Sequence, residues 1–409
     1  MKIIYFTTLA PCGRGESFVL NEIRAMKSLG ADITVMPVRS EYRYKGDEFS
    51  VVRLRPHASL KNFFSAVLML LSRPVKCLGA CGNMLFKANG AKNGFKNLFF
   101  FNKALCCARY IIKNGGADFI HAHWLATTSS VAYIVSYITG IPFCITGHRF
   151  DVYADNAIKQ KGKRAAFIRL IDKNGLNAVK TALDDENKKK AVLIHLGADI
   201  PESAPSPEMR FDTATDRKSF PFAVAAALIP VKGHRYLIEA AALLKKRGIE
   251  GFRFLCFGDG ELKTELSSLA KGLGVDRQVE FYGSIDNRKL LEMYKESEIF
   301  AAVLPSVDLG HNLHEGIPVS LMEAMANSLP AVSTDTGGIY ELLGKTHGLL
   351  LPEKSPEALA DAAERLITDR DFYVKSANEC LNIAEKDFNN LKNTGLLLET
   401  MIKSTNGGF

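Results

Sequence analysis

The sequence predicts an α/β protein made of two Rossmann-like, doubly wound domains. Three observations carry this reading. Strand-like apolar runs alternate with helical segments in two separate series, the pattern of parallel sheets covered on both faces. A polar, proline-rich stretch without periodicity, "DIPESAPSPEMRFDTATDRK", separates the two series. The chain has 409 residues, enough for two domains that each bury a core.

The first series opens with the strand "KIIYFTT", too short in its apolar run for a signal-peptide core. It continues through the helix "ESFVLNEIRAMKSLG" and the strand "ADITVMPVR". After a helical insert it resumes with "ADFIHAHW", a helix near Ser129 to Thr139 and the strand "PFCITGH". The second series starts at "FAVAAAL" and runs through a helix after Gly233, "FRFLCFG", a helix from Glu261 and "VEFYGS". A helix near Arg288 to Glu296, "EIFAAVLP", a helix over Val319 to Ala326, "PAVST", "HGLLL" and a last amphipathic helix follow. The expected division is an N-terminal domain at 1–200 with a basic insert at 57–114, a linker at 201–219, and a C-terminal domain at 220–384. A helical tail at 385–409 returns to the N-terminal domain. Ligands of such folds bind beyond the carboxyl ends of the strands, here in a cleft between the domains.

No run reaches the roughly 18 apolar residues of a membrane span. The net charge of +8 is concentrated: residues 61–113 hold nine Lys and Arg and no Asp or Glu. The same window contains "NFFSAVLMLL" and "FKNLFFFNKALCCARYIIK". It reads either as an amphipathic surface for anionic lipid or as a helical insertion with a solvated basic face. No nucleic-acid module accompanies the charge, so nucleic acid is not an expected partner. The eight cysteines show no metal-ligand array and read as small buried thiols in a reducing cytoplasm.

The most informative stretch is "HEGIPVSLMEAMANSLPAVSTDTGG", His314 to Gly338. Glu315 precedes a helix that begins near Pro318 and Val319, and Glu323 lies within it. The free N–H groups of a helix start and the positive end of its dipole suit a phosphate. Carboxylates suit sugar hydroxyls, so the stretch fits a nucleotide sugar. A capped core helix with one solvated Glu is the plainer alternative. Lys232, in "AALIPVKGHRYLIEA", sits on a strand-to-helix loop where it can act as a point charge on a diphosphate. Gly258 and Gly260 flank Asp259 in a similar loop, permitting close backbone approach or simply forming a turn. Gly13 and Gly15 follow the first strand, but Phe18 stands where a dinucleotide fingerprint needs a third glycine. His148 lies just beyond a buried strand, as a functional residue or as its cap. His121 and His123 have no third ligand nearby in the sequence, so a metal is not expected. Asp369-Arg370-Asp371 reads as a solvated helix terminus.

These segments together resemble the retaining nucleotide-sugar glycosyltransferases of the two-domain GT-B fold (glycosyl transferases group 1, family 4 type). The resemblance rests on "VLPSV", "HEGIPVSLMEAMANSLPAVSTDTGGIYELL", "PVKGHRYLIEA" and "FGDGELKTELSSLAKGLGVDRQVEFYG", in that family's order. The first half is similar in outline through "ESFVLNEI", "FIHAHW", "IPFCITGHRFDVY" and "IHLGAD". The strongest likeness is to enzymes of bacterial exopolysaccharide and lipopolysaccharide assembly. The resemblance implies a retaining hexosyltransferase that needs no metal or cofactor. It places Glu323 on the ribose, Glu315 on the transferred sugar, and amides after Gly316, Val319 included, on the diphosphate. Lys232 would neutralise the leaving group, His148 would touch the sugar, and Gly13, Gly15, Gly258 and Gly260 would line the donor site. The implied partners are a nucleoside-diphosphate sugar and a glycan or lipid-linked glycan acceptor, at the cytoplasmic face of the membrane. Two positions depart from the family's pattern. Ala227 replaces an Arg that shares the diphosphate charge, which leaves a non-catalytic nucleotide-sugar-binding homologue as the alternative. Ser328 replaces a Gly at a helix end. A glycosidase using Glu315 and Glu323 fits poorly, because a hydrolase needs no phosphate cradle between its carboxylates.

Overall fold

The structure is a computed structural model, and it describes all residues except 10–15, 40–47, 55–58, 150 and 406–409. Gly13 and Gly15 therefore lie outside the described residues. The chain forms two compact units, Met1–His195 with Leu391–Phe409, and Leu196–Asn390.

The first unit holds seven strands: β1 (Lys2–Thr7), β2 (Asp32–Pro37), β3 (Ser50–Val51), β4 (Phe119–His123), β5 (Phe143–Gly147), β6 (Phe167–Leu170) and β7 (Ala191–Leu193). They form one parallel sheet in the order β3-β2-β1-β4-β5-β6-β7. β4, β5 and β6 are buried along their whole length, so they lack the alternation of a half-exposed strand. β6 and β7 were not foreseen. β6 is only four residues long, "FIRL", and carries an arginine in its middle.

The insert forms four helices, Leu60–Ser72, Pro74–Phe86, Ala91–Phe99 and Phe101–Lys113. The first, second and fourth of these join the core through Ala66, Met69, Cys77, Met84, Leu105 and Cys106. Lys103 also points inward and donates to the Leu54 carbonyl, so it is not one of the surface cations that the charge pattern suggested. Among the described residues no single helix is long and apolar enough to cross a membrane. The first two insert helices bend by 105° around Arg73.

The second unit has six strands: β8 (Phe220–Ala225), β9 (Phe252–Phe257), β10 (Val279–Gly283), β11 (Ala301–Leu304), β12 (Ala331–Thr334) and β13 (Leu350–Leu351). All pair in parallel in the order β10-β9-β8-β11-β12-β13. Both sheets are thus doubly wound. Each reverses its winding once, at β1/β4 in the first unit and at β8/β11 in the second.

The stretch expected to be an unstructured linker contains a helix, Pro207–Asp216. Ser206 caps it by accepting from the Met209 N–H, and proline occupies its first turn. Its buried Arg210 donates to the carbonyls of Tyr294, Ile299 and Asn327, which ties the segment into the second unit. The polar composition hid a helix whose anchor is a charged side chain. Asp369 caps the helix Arg370–Asp387 by accepting from the Phe372 N–H. The last helix, Asn390–Thr405, buries Leu397 and Met401 among the β1 and β2 side chains of the first unit.

Candidate active site

The second sheet reverses between β8 and β11, and a doubly wound sheet opens a crevice at such a point. The loops leaving these two strands meet there, where the Val307 N–H donates to the Val231 carbonyl at 2.9 Å. The β8 loop closes in a short turn, Pro230–Lys232, followed by Gly233 at φ +67°. A side chain on Gly233 would put its Cβ 1.8 Å from the Pro305 carbonyl oxygen, so only glycine lets the loops approach this closely. This approach delivers Lys232 to Glu315. The Lys232 Nζ donates to Glu315 Oε2, with side chains 19% and 10% exposed. The other oxygen, Glu315 Oε1, accepts from the Gly316 N–H at 3.2 Å.

Glu315 stands just before the helix Val319–Ala326, whose start is set by Pro318. The N–H groups of Val319 and Ser320 precede the first intrahelical bond, and both residues are half-buried. An ammonium, a carboxylate and a helix N-terminus are therefore gathered on adjoining loops. Such a set can hold a diphosphate and steady positive charge on an adjacent sugar carbon.

Glu323 keeps different company. Its Oε2 accepts from Asn287 Nδ2 at 2.9 Å, and its buried Oε1 has no hydrogen-bond partner. Burial pushes this carboxyl up to about 7, against the lowering effect of Asn287. A buried acceptor left unpaired has a strong claim on a donor such as a hydroxyl. Asn287 was not singled out from the sequence. The available signal was a short polar residue just past the carboxyl end of β10, at the first position of the helix Asn287–Lys295.

Gly258 and Gly260 bring the β9 loop against the β8 loop. A Cβ at these positions would lie 2.0 Å from the Ala226 oxygen and 2.3 Å from the Leu228 oxygen. Their small size is required by the protein's own backbone. Ala227 is exposed between these contacts. Ser328 has φ +59°, so the helix end does take the left-handed backbone for which glycine is better suited.

His148 belongs to the first unit, at the end of β5, and connects to a buried polar network. Its Nε2 lies 2.8 Å from His123 Nδ1, and His123 Nε2 lies 3.0 Å from Glu22 Oε1. Tyr5 donates to the same Glu22 oxygen at 2.5 Å, while Arg169 Nη1 donates to Glu22 Oε2. Burial alone would raise the Glu22 carboxyl, but Arg169 and His123 hold it well below the usual carboxylate range. Burial, then His123 and Arg169, keep the His148 imidazole well below its ordinary value and hence neutral. Asp151 fixes the His148 backbone, accepting its N–H at 2.7 Å. Trp124, beside His148, has φ +70°, a strained backbone for a bulky residue of the kind found at functional sites.

The sequence offered no third ligand for His121 and His123. The structure corrects this: Glu22 brings a carboxylate oxygen within 4.8 Å of a nitrogen of each, and all three are buried. The Arg169 guanidinium on Glu22 already supplies the positive charge that a metal ion would bring, so the cluster is better described as an ion-paired network. Glu22 and Arg169 were missed as site residues. Arg169 could have been noticed as the one charge inside an apolar strand.

Residues 205–387 match the family described as Glycosyl transferases group 1. The chain is 34% identical over 207 residues to WcaL of Escherichia coli, named as a glycosyltransferase of colanic acid biosynthesis. That alignment covers 49% of this chain and 48% of WcaL, about half of its length. AmsK of Erwinia amylovora, an amylovoran biosynthesis glycosyltransferase, is 36% identical over 142 residues, 34% of each chain. Among solved structures, HepE of Anabaena in complex with UDP and glucose matches with a TM-score of 0.67 at 17% identity, covering 98% of this chain and 100% of that one. The lipopolysaccharide outer core galactosyltransferase WaaB matches with a TM-score of 0.63 at 15% identity, covering 98% and 99%. These likenesses show the GT-B fold.

Proposed function

We propose, from the match of residues 205–387 to the family described as Glycosyl transferases group 1, that the protein is a glycosyltransferase of bacterial surface polysaccharide assembly. It moves a hexosyl group with retention from a nucleoside-diphosphate sugar to an acceptor hydroxyl. The observation that carries the reading is the Lys232–Glu315 pair beside the N-terminus of the helix Val319–Ala326. The bond between the sugar carbon and the diphosphate oxygen breaks while a bond to the acceptor oxygen forms on the same face. The acceptor's proton passes to a leaving phosphate oxygen. Lys232 and the amides of Val319 and Ser320 take the growing negative charge, and Glu315 faces the developing positive charge on the sugar. Glu323 accepts from the ribose, with Asn287 orienting it. His148 accepts from a hydroxyl of the transferred sugar. The charge is met by protein groups, and the reading requires no metal or cofactor. HepE, bound to UDP and glucose, and WcaL, named for colanic acid, support the donor and acceptor classes.

The same proposal places the protein on the cytoplasmic face of an anionic membrane through its insert. Leu71, Val75, Leu78, Phe86 and Phe95 are more than 60% exposed, and Lys76, Lys87, Lys92 and Lys96 stand exposed among them. Exposed apolar side chains interspersed in sequence with cations suit a lipid interface and a lipid-linked acceptor. The test is turnover of a panel of UDP- and GDP-hexoses, followed as released nucleoside diphosphate, with product anomers read by NMR. Failure of the folded protein to bind or turn over any of them would refute the reading.

A further inference from the structure

We propose that Glu22 and His123 are positioning residues that hold His148 in a single tautomer, with its proton on Nε2 and its Nδ1 presented as an acceptor. This rests on the reading of His148 as a sugar contact.

The argument follows the protons from the centre outward. Glu22 is ionised, because Arg169 donates to its Oε2 from full burial while also donating to the carbonyls of Ile194 at 2.8 Å and His195 at 2.7 Å. A carboxylate only accepts. His123 Nε2, 3.0 Å from Glu22 Oε1, must therefore carry a proton, since a bare nitrogen would set two lone pairs against each other. Tyr5 agrees: its hydroxyl donates to Glu22 Oε1, which leaves its oxygen free to accept from His123 Nε2 at 2.5 Å.

Arg169 already neutralises Glu22, so an imidazolium at His123 would be a second, uncompensated cation in a fully buried place. The His123 Nδ1 is then a bare acceptor, and the His148 Nε2 at 2.8 Å must donate to it. The remaining nitrogen, His148 Nδ1, has no hydrogen-bond partner among the described residues. It is left as a lone pair on a neutral ring.

The charged and titratable groups that act on His148 come from several elements: Glu22 from the helix Ser17–Ser28, His121 and His123 from β4 and Arg169 from β6, while Asp151 accepts the His148 N–H. The tautomer of a histidine is set by the hydrogen bond that its other nitrogen makes. A sugar hydroxyl meeting Nδ1 finds a fixed acceptor, so it must donate its proton there and offer its oxygen lone pairs elsewhere.

The test is nitrogen-15 NMR of histidine-labelled protein without any ligand, with the His148 signals assigned by their loss in His148→Ala. The expected pattern at neutral pH is a protonated Nε2 and a bare Nδ1, and His123→Phe should convert it to a mixture of tautomers. A wild-type His148 protonated on Nδ1, or a pattern unchanged by His123→Phe, overturns the proposal. The wild-type spectrum decides even if the variant does not fold. Turnover of the hexose panel gives the second readout. His123→Phe should lower kcat about tenfold, the cost of losing one such hydrogen bond, and should cost nothing more in a His148→Ala background. A loss that persists there would show a merely structural role. If His148→Ala leaves turnover intact, the reading of His148 as a sugar contact falls, and the positioning role with it. The NMR result would still report the tautomer on its own.

Discussion

The Lys232 ammonium donates to the Glu315 carboxylate across a sequence separation of 83 residues, from the loop after β8 to the loop after β11. Each group lowers the cost of burying the other, and breaking such a pair leaves one charge uncompensated. Both are therefore held ready beside a helix N-terminus. Lys232→Ala should reduce transfer by about 10²–10³, the scale for losing a donor to a charged transition state. Glu315→Gln should keep the nucleotide but lose transfer. Single-turnover assays with separate nucleotide-binding titrations check both, and equal small effects on binding and turnover would refute this division of roles.

Ala227 gives a gain-of-function prediction. It is exposed at the loop beside Gly258, so a longer side chain can be accommodated. Ala227→Arg should tighten the donor or speed transfer by adding a cation for the diphosphate. Measured harm to an otherwise active enzyme would show that the charge is met from another direction.

Glu323 gives a pH prediction. Its folded value, raised by burial to about 7, exceeds the unfolded value, so the folded state binds more protons between about 4.5 and 7. Its effect on stability is therefore unfavourable and grows as pH rises through that window. Glu323→Gln should stabilise the free protein at pH 8 relative to pH 4, by about 3 kcal/mol at most. The same change should weaken nucleotide binding at pH 8, where the ionised carboxylate is the better acceptor. Thermal melts and nucleotide titrations at the two pH values check this. A variant whose melting difference from wild type is independent of pH would contradict it.

The insert should bind anionic vesicles in a salt-sensitive way, because surface attraction is screened over about 8–10 Å at physiological ionic strength. Neutralising Lys76, Lys87, Lys92 and Lys96 together should release the protein. Lys103 is left out because its ammonium is spent on the Leu54 carbonyl inside the fold. Co-sedimentation with phosphatidylglycerol vesicles at two salt concentrations is the measurement. Binding that is indifferent to the four substitutions would leave the insert as packing alone.

Ser328 ends the helix Val319–Ala326 in a left-handed backbone. Ser328→Gly should raise stability by up to about 1 kcal/mol, read as a higher Tm, since the left-handed form costs a side chain about 1–2 kcal/mol and glycine loses part of that gain to chain entropy. A lower Tm would mean that the serine makes contacts worth more than the strain.

The sequence by itself determined the elements whose signal is local. Buried parallel strands are mostly apolar, so β1, β4, β8 and β11 stand out in one dimension. The helix Val319–Ala326 is bounded by prolines on both sides, and its bounds were readable together with Glu315 and Glu323. Lys232 was legible because a K-G pair follows a strand. Tertiary structure alone decided what these groups touch. The ion pair of Lys232 with Glu315 depends on the sheet reversing between β8 and β11, and on Gly233 letting two loops meet. The Asn287 contact with Glu323 joins two helices 36 residues apart in sequence. The network behind His148 draws Glu22, His123 and Arg169 from three elements, with Arg169 147 residues from Glu22. A buried charge is tolerated only where the fold supplies its partner, and no local pattern names that partner. Composition misled at 201–219 for the same reason. The polarity of that stretch suggested a linker, while its Arg210 is held by three carbonyls that only the folded second unit brings together.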